Sequence, residues 1–459
     1  MPSMTASSLV LLYAAVFASA SYVPQEVLSA SPSQDSSAVL RRVAVNSTRH
    51  ERSTRVILDA AQAADVDIWH VAHDYIDLYM PSESRGASAF SSHELEYTDH
   101  LLPSSLLHPH KHPFSLWNLS SLSNTTFHEV YHPLGDIETF ASQLLELYPR
   151  NVRVVPIGHS AENREMFALE IAKDFGSIRK KTGFVITGAQ HAREWIATST
   201  AMFIAHALLA DQSESYSMAP LLNSYVFYLV LVPNPDGYAY TWETDRLWYK
   251  NRQIIGPNER CIGLDMNRNW VRTTATILLS TPTPPQGHKW KPDAQFPALK
   301  KNKGPVDPCS YWYPGHRAFE SPEVNNIANY ITTLPNLRAY IDLRSYGQMI
   351  SAPFSHSCKK VPKDAEDQIE AALGAAAAIK AAHGVAFTAG SLCQLTYRAG
   401  GNVVDYMYAK AGIKYSFAVH LRDTGTYGFL LPAEWIRPVG EETANMIKSL
   451  ASFIVKQKF

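Results

Sequence analysis

The most constraining feature of this 459-residue chain is a strand, a tight turn and a helix start within residues 184–197. The β-branched and aromatic run at 184–187 predicts a buried strand, and Gly188 breaks it before a helix begins. His191 and Glu194 stand three residues apart at the mouth of that helix. This spacing puts an imidazole and a carboxylate on one helical face, where both can bind one metal ion. A solvated first helical turn is the alternative, but the strand, turn and helix around the motif favour a metal-type site.

Composition excludes several classes of protein. Hydrophobic residues make up 46% of the chain and the formal net charge is -1, which is typical of a globular protein. Because the chain has no basic excess, we expect no nucleic-acid partner. No segment reaches the ~20 apolar residues that a spanning helix needs, so we expect no membrane span. The length suits one large domain and one small domain, and we expect a monomer.

Residues 1–20 have the pattern of a secretory signal peptide, with an apolar run at 9–17 followed by the small residues Ala-Ser-Ala. A charged start is missing, but the alternative of a membrane anchor is poorer because the apolar run is too short. Three Asn-X-Ser/Thr triplets, at Asn46, Asn118 and Asn124, are candidate N-glycosylation sites. We therefore expect a secreted or extracellular protein, with the vacuole or the cell wall as alternative destinations.

The chain has four cysteines: Cys261, Cys309, Cys358 and Cys393. Their number is even and no CxxC pair is present, which in an exported chain favours two disulfides over a metal site. Disulfides persist in oxidising compartments, so this interpretation agrees with the predicted export.

Shifts in composition divide the chain into successive segments. Residues 21–37 are rich in serine and are expected to be disordered, whereas 38–82 have the alternating and helical patterns of a small α/β unit. The segment 83–125 is rich in Ser, His and Pro and is interpreted as a connector. A larger domain is expected at 126–459, interrupted at 271–308 by an insertion loop rich in Pro, Lys and Thr.

Strand and helix patterns alternate along the larger domain. A continuous apolar strand is expected at 225–232, an Ala-rich helix at 364–382 and a final helix at 437–457. Alternation of this kind predicts an α/β fold whose mixed, mainly parallel central sheet has helices on both faces.

Several long sequence words occur together in one order. They are HAREW (191–195), PNPDGY (233–238), RLW (246–248), DMNRNW (265–270), SPEV (321–324), GIKYSF (412–417) and LRDTGTYGFLLPA (421–433). With these words the chain resembles the zinc metallocarboxypeptidases of the carboxypeptidase A/B (funnelin) family. Within that family it is most similar to the fungal inactive branch linked to the extracellular matrix and the cell wall.

The resemblance implies the carboxypeptidase fold and a prodomain at 38–82. It also pairs Cys261 with Cys309 around the active-site loop, which leaves Cys358 for Cys393.

Zinc is the cofactor that the family implies. The resemblance assigns His191 and Glu194 as two of its three ligands, and Asp265 as the carboxylate that fixes the histidine tautomer. Ser345 and Tyr346, which follow the position of the third ligand, are assigned to the substrate side.

The family's substrate pocket is also represented in the sequence. Asn267 and Arg268 match the pair that binds the C-terminal carboxylate of a peptide, and Arg193 matches an arginine on the substrate side. Tyr397 matches a mobile tyrosine that covers the substrate, and Val404 falls where the family selects the terminal side chain. An apolar residue at 404 implies a preference of the A type over the basic-specific B type.

Three departures from the family pattern bear on function. Arg344 replaces the third zinc ligand, His420 replaces the general-base glutamate and Tyr249 replaces the oxyanion arginine. Arginine has no lone pair for zinc and keeps a positive charge, so we expect Arg344 to take the place of the cation and pair with Glu194. Loss of the base costs roughly 10²–10⁴-fold in rate, and loss of the oxyanion donor roughly 10²–10³-fold.

Two interpretations follow from these departures. The first is a secreted pseudoenzyme that binds peptide or protein C-termini in the cell wall or extracellular matrix. The second is an active zinc-dependent A-type carboxypeptidase that releases apolar C-terminal residues. Its rebuilt metal site would use His191, Glu194 and His420, and Arg344 would act on the oxyanion. Random decay of the sequence is a weaker explanation, because the motifs that flank all three substitutions are intact.

Overall fold

A computed structural model describes residues 38–45, 50–64, 66–81, 95–107, 117–257, 259–270 and 307–457, with only the backbone described for 50–52. The predicted signal peptide, the Ser-rich segment 21–37, the acceptor Asn46 and positions 271–306 of the predicted insertion lie outside the described residues.

The described strands and helices follow one another in chain order. The strands are β1 (Ala38–Ala44), β2 (Asp67–Val71), β3 (Tyr75–Pro81), β4 (Tyr97–Leu102), β5 (Val152–His159), β6 (Glu165–Ile171), β7 (Thr182–Thr187), β8 (Tyr225–Val230), β9 (Leu337–Arg344), β10 (Met349–Ala352), β11 (Thr388–Ser391) and β12 (Tyr415–His420). The helices are α1 (His50–Ala63), α2 (Ser104–Leu107), α3 (Leu134–Leu147), α4 (Trp195–Ala207), α5 (Pro235–Glu243), α6 (Pro322–Thr333), α7 (Ala365–His383), α8 (Leu392–Leu395), α9 (Val403–Ala409) and α10 (Ile436–Lys456).

The first four strands form a small antiparallel sheet in the order β2-β3-β1-β4, and we call residues 38–107 the N-terminal unit. Ile57 and Leu58 of α1 pack against Val43 and Ile76 of the sheet. The alternating patterns in 38–82 therefore mark real strands, as predicted.

Strand β4 lies inside the segment that was interpreted as a connector, and for residues 97–102 that interpretation is wrong. The strand pairs with β1 along its length, and Asp99 accepts two hydrogen bonds of 2.7 Å from Arg41. Only Leu102 in the strand is buried, because β4 is an edge strand. An edge strand of this kind lacks the apolar alternation that reveals a half-buried strand.

The main domain, residues 117–457, is built on an eight-stranded sheet in the order β11-β10-β12-β9-β7-β8-β6-β5. The four central strands β12, β9, β7 and β8 are parallel, whereas β6 is antiparallel to β8 and β10 is antiparallel to β12. This arrangement confirms the predicted mixed, mainly parallel sheet.

The two faces of the sheet are covered by different helices. Phe184 and Ile186 of β7 belong to a core that also contains side chains of α3, α4, α7 and α10. Val185, between them, points to the other face, where it packs in a core with residues of α6 and α9. Each face of β7 is buried, which explains its continuous apolar sequence and confirms helices on both faces.

The C-terminal ends of the parallel strands bring the candidate site residues to one edge of the sheet, where open α/β sheets bind their ligands. Strand β9 ends at Arg344 and β12 ends at His420, and these two residues are paired in register. After β7 the chain turns at Gly188, where a Cβ would lie 2.1 Å from the backbone oxygen of Leu231. Only glycine fits this close backbone approach.

The N-terminal unit packs over this same edge. Leu40 and Trp69 of the unit form one apolar cluster with Tyr346, Phe429 and Leu430 of the main domain. The site is therefore enclosed between the two parts of the chain.

Candidate functional site

His191 and Glu194 lie in a tight turn that precedes helix α4, which begins at Trp195. The expectation that both occupy the first helical turn is therefore wrong. The turn is held by hydrogen bonds from Glu194 N to His191 O (3.2 Å) and from Ala192 N to Tyr249 O (3.1 Å). It still brings the two side chains together, with 2.9 Å between His191 Nδ1 and Glu194 Oε1.

Arg344 lies between the two side chains where the third zinc ligand was expected. Its Nε donates to Glu194 Oε2 and its Nη2 donates to Glu194 Oε1, both at 3.0 Å. The same Nη2 donates to His191 Nδ1. The ion pair between Arg344 and Glu194 that the sequence suggested is thus present, and it is almost fully buried.

The other ring nitrogen of His191 faces Asp265, with 2.8 Å between Nε2 and Oδ1. Because Arg344 donates to Nδ1, that nitrogen must be unprotonated, and the ring proton lies on Nε2 and is donated to Asp265. Asp265 therefore orients the imidazole, which is the role that the resemblance gives it.

Both carboxylates of this cluster are held in the ionised state. Burial on its own would raise the pKa of Glu194, but the positive charge of Arg344 and the hydrogen bonds that Arg344 donates lower it further than burial raises it. Burial would also raise the pKa of Asp265, but Arg268 and His191 lower it by more than burial raises it. Glu194 therefore lies against Arg344, and Asp265 lies near Arg268.

The residues present do not fit a zinc ion. The lone pairs of His191 Nδ1 and Glu194 accept hydrogen bonds from Arg344, which itself has none to offer a metal. Within the part of the chain that the structure describes, no three His, Cys, Asp or Glu side chains are arranged to hold a metal ion. The alternative set of His191, Glu194 and His420 is therefore not assembled.

His420 lines the site, and within the described part of the chain no ion pair joins it to a carboxylate. Its Nδ1 is buried and, among the described residues, makes no hydrogen bond. Burial, with a further contribution from the charge of Arg344, lowers the pKa of His420 to about 3. The imidazole is therefore neutral and only weakly basic near neutral pH.

Tyr249, at the oxyanion position, stacks on the ring of His191 with 3.7 Å between the ring centroids. Burial raises the pKa of its phenol well above the ordinary value of 10. The phenol is therefore neutral and supplies no positive charge where the family has a guanidinium.

The predicted carboxylate-binding pair, Asn267 and Arg268, lies on the wall of the same site. Nη2 of Arg268 donates to the hydroxyl of Tyr397 at 2.6 Å, and Nη1 donates to the backbone oxygen of Asn267 at 3.0 Å. The side-chain oxygen of Asn267 accepts from Val403 N at 3.0 Å. In the described part of the chain, the buried Nε of Arg268 has no hydrogen-bond partner.

These groups surround a cavity of about 80 Å³, which we call the central cavity. Its lining includes Arg268, Arg344 and Tyr397 from the main domain and Trp69 and His70 from the N-terminal unit. One water needs roughly 10–15 Å³ by this measure, so the cavity holds only a handful of waters. Trp69 and His70 therefore narrow the space at this site while the N-terminal unit is in place.

Other sequence-predicted residues differ in their relation to the central cavity. Ser345 lines it, and its backbone N–H donates to Glu194 at 3.0 Å. Among the described residues the lining does not include Tyr346 or Val404. Val404 is fully buried in the core beside Val403, and its role in selecting the terminal side chain stays a prediction.

Among the lining residues that the sequence did not reveal, four lie near Tyr397 in the chain. They are Leu392, Thr396, Ala399 and Asn402. Their proximity along the chain to the covering tyrosine was the available signal.

The predicted substrate-side arginine, Arg193, is engaged by the N-terminal unit. Its guanidinium makes a two-point ion pair with Asp67 of β2, through Nη2 to Oδ1 at 3.2 Å and through Nη1 to Oδ2. Asp67 was not identified from the sequence. Its inward position in an alternating strand was the only signal for it, and ordinary strands also carry such residues.

A second polar contact joins the two parts of the chain. The hydroxyl of Tyr346 donates to Asp77 at 2.7 Å, and Asp77 also accepts from Arg42 at 2.7 Å. Arg42 in turn donates to the backbone oxygen of Thr424 in the main domain.

Both expected disulfides are present. Cys261 is bonded to Cys309 and Cys358 to Cys393, with Cα–Cα distances of 5.0 and 5.1 Å.

The acceptors Asn118 and Asn124 are exposed, and their glycosylation stays a prediction. No helix in the described ranges combines the length and apolar character needed to cross a membrane.

Comparison with known proteins gives consistent relatives. The profile of the zinc carboxypeptidase family matches residues 137–446. The inactive metallocarboxypeptidase ECM14 of Ajellomyces dermatitidis is 31% identical over 438 residues, covering 87% of this chain and 70% of the relative. The protein of the same name from Paracoccidioides lutzii is 29% identical over 444 residues, covering 88% and 71%.

Solved structures agree with these sequence relatives. The crystal structure of thrombin activatable fibrinolysis inhibitor has a TM-score of 0.76 and 26% identity, covering 92% of this chain and 99% of that one. For the fold alone, carboxypeptidase A from Helicoverpa armigera has a TM-score of 0.73 at 22% identity, with coverage of 92% and 99%. The chain, with an arginine where the third metal ligand is expected, belongs to the zinc carboxypeptidase family.

Proposed function

We propose that this protein is a non-catalytic member of its family that binds the C-terminal carboxylate of a peptide or protein. The observation that carries the proposal is that one cavity keeps the residues of the carboxylate pocket but not the catalytic groups. Arg268 and Tyr397 of the carboxylate pocket are retained, whereas Arg344, His420 and Tyr249 occupy the positions of the catalytic groups.

The replaced groups cannot supply the family's chemistry. A neutral imidazole with a pKa of about 3 is a poor acceptor for the proton of an attacking water near pH 7. The neutral phenol of Tyr249 gives a developing oxyanion no cation to stabilise it. Names of relatives that include the word inactive support the same conclusion.

Arg268 is suited to bind a carboxylate. Its guanidinium is 3% exposed, and the nearest carboxylate, Asp265, lies 3.7 Å from Nη1. A ligand carboxylate would displace the phenol of Tyr397 from Nη2 and replace a neutral acceptor with a charged one. Charge-assisted hydrogen bonds are roughly twice as strong as neutral ones, so this exchange favours the ligand.

Access to Arg268 requires movement or removal of the N-terminal unit, because Trp69 and His70 close the central cavity. We propose that the binding form is exported. The pattern of residues 1–20, the three acceptor triplets and the two disulfides support this location. A role in the cell wall or extracellular matrix rests on the resemblance to the fungal inactive branch.

Fluorescence anisotropy with labelled peptides tests the proposal. The purified chain is measured before and after a cleavage placed between residues 107 and 117, which breaks the chain between the N-terminal unit and the main domain. Peptides ending in a free carboxylate are compared with the same peptides ending in an amide. We expect binding of the free acid alone, only after proteolysis, and no shortened peptide by mass spectrometry.

Arg268→Gln should abolish that binding, whereas Arg252→Gln should leave it unchanged because Arg252 stacks on Tyr240 and does not line the cavity. Equal binding of acid and amide peptides would overturn the proposal. Hydrolysis that disappears in His420→Ala would instead establish the active carboxypeptidase.

A further inference from the structure

We propose that Arg344 is a permanent internal cation that occupies the metal position, keeps metal ions out, and makes the folded state depend on an arginine instead of a metal ion. The proposal rests on the saturation of the surrounding acceptors. Glu194 is 1% exposed and accepts hydrogen bonds from Arg344 Nε, Arg344 Nη2 and the backbone N–H of Ser345, each at 3.0 Å.

The guanidinium also reaches a second carboxylate. Nη1 of Arg344 lies 3.5 Å from Oδ2 of Asp342, which is on the same strand and fully buried. The other oxygen of Asp342 accepts from Gln190 at 2.9 Å and from Thr187 at 3.1 Å. The side chain of Arg344 therefore links the end of β9 to the turn that follows β7.

The arrangement connects separate parts of the fold through one side chain. Glu194 and His191 come from the turn before α4, and Arg344 ends β9, about 150 residues later in the chain. A metal ion bound by ligands from distant segments gives the same kind of cross-connection. Here the connection is covalently part of the chain, so a chelator cannot remove it.

A metal ion cannot share this site with the guanidinium. It would need the lone pairs of His191 Nδ1 and Glu194 that Arg344 now uses, and two positive charges would then be in contact. Exclusion of metal by Arg344 is independent of the proposed binding of C-termini, since it is tested by metal content and thermal stability. If the binding of C-termini fails its test, the metal content can still be measured, and the reverse also holds.

Metal analysis and thermal unfolding of the full chain test the inference. The wild-type protein, after incubation with zinc and desalting, should carry much less than one zinc per chain, and EDTA should leave its Tm unchanged. One zinc per chain, or a Tm that falls with EDTA, would overturn the proposal.

Arg344→Gln should lower the Tm by about 5–10 °C, because it leaves the buried charge of Glu194 without its partner. Adding Glu194→Gln removes that charge, so the double variant should recover part of the loss and fold even if the single variant does not. Arg260→Gln, at an exposed position, is the control and should change the Tm little. A double variant no more stable than Arg344→Gln would contradict the role of Arg344 as a compensating charge.

Arg344→His provides the complementary test. With Arg344 gone and an imidazole at its position, His191 and Glu194 regain a third ligand. We expect this variant to bind about one zinc per chain and to gain thermal stability when zinc is added, and Glu194→Gln in the same background should abolish both effects. A variant that binds no zinc would contradict the claim that Arg344 is what excludes the metal.

Discussion

Asp67 and Arg193 form a buried two-point ion pair across the boundary between the N-terminal unit and the main domain. Arg193 is 1% exposed, and Asp67 also accepts a 3.0 Å hydrogen bond from Trp69. The carboxylate of Asp67 therefore pairs with Arg193, which matches the family's arginine on the substrate side. This contact gives the N-terminal unit a defined anchor over the central cavity.

We predict that Asp67→Asn weakens the seating of the N-terminal unit. Removing one partner of a buried ion pair costs about 3–5 kcal/mol, because the remaining charge stays buried without compensation. Limited proteolysis should therefore release the N-terminal unit faster in the variant, as followed by gel electrophoresis.

Asp99→Asn is the matched control for this prediction, since it breaks the partly exposed Arg41–Asp99 pair within the same unit. Such pairs contribute about 0–1 kcal/mol, so the cleavage rate should change little. Equal rates for wild type and Asp67→Asn would show that the ion pair does not anchor the unit.

We predict that acid destabilises the folded protein. His128 and His206 are buried in contact, with 3.0 Å between Nε2 and Nδ1, and burial lowers the pKa of His128 well below 6.5 and that of His206 to about 4. The unfolded chain binds protons from about pH 6.5 downward while the folded histidines do not, so stability is lost as the pH falls from about 6.5 to 4. Each such group contributes on the order of 1.4 kcal/mol per pH unit in this window.

Urea unfolding at pH 7, 6, 5 and 4.5 measures this loss. His206→Gln, which removes one of the two buried imidazoles, should make the slope of stability against pH shallower than in the wild type. A free energy of unfolding that stays constant between pH 7 and pH 4.5 would refute the prediction.

We predict that replacing both Cys358 and Cys393 by serine destabilises the protein by about 2–4 kcal/mol. The disulfide closes a loop with a sequence separation of 35, and a crosslink of that length restricts the unfolded chain by an amount in this range. The measurement is urea unfolding of the variant against the oxidised wild type. A difference in the free energy of unfolding below about 1 kcal/mol would show that this disulfide contributes little to stability.

We predict opposite outcomes for alanine at two glycines. At Gly188 a Cβ would meet the backbone of Leu231, so Gly188→Ala should cost on the order of 3 kcal/mol or prevent folding. At Gly135 in α3 the same atom would meet nothing within 4 Å, so Gly135→Ala should stabilise by about 0.5–1 kcal/mol. Thermal unfolding of both variants checks the pair, and a tolerated alanine at 188 would contradict the described turn.

The main sheet could be predicted because its central strands are buried on both faces and read as continuous apolar runs. The ion pair of Arg344 and Glu194 could also be predicted, because a fixed cation at a metal position has an obvious partner in a ligand carboxylate. Strand β4 could not, since its residues face solvent at a sheet edge.

The contact between Asp67 and Arg193 escaped prediction for a different reason. The two residues are separated by 126 positions, and neither hydrophobic periodicity nor a motif specifies which acidic side chain meets a given arginine.

The pairing of Arg344 with His420 at adjacent strand ends has a consequence for the history of the protein. The family's catalytic pattern would need a histidine at position 344, a glutamate at position 420 and an arginine in place of Tyr249. An early return of the glutamate would add a carboxylate beside Glu194 before any dication was present. An early Tyr249→Arg change would bring another guanidinium close to Arg193 and Arg344. The order of these changes therefore matters: the change at position 344 has to come first, since it removes the cation that excludes the metal and supplies a third ligand.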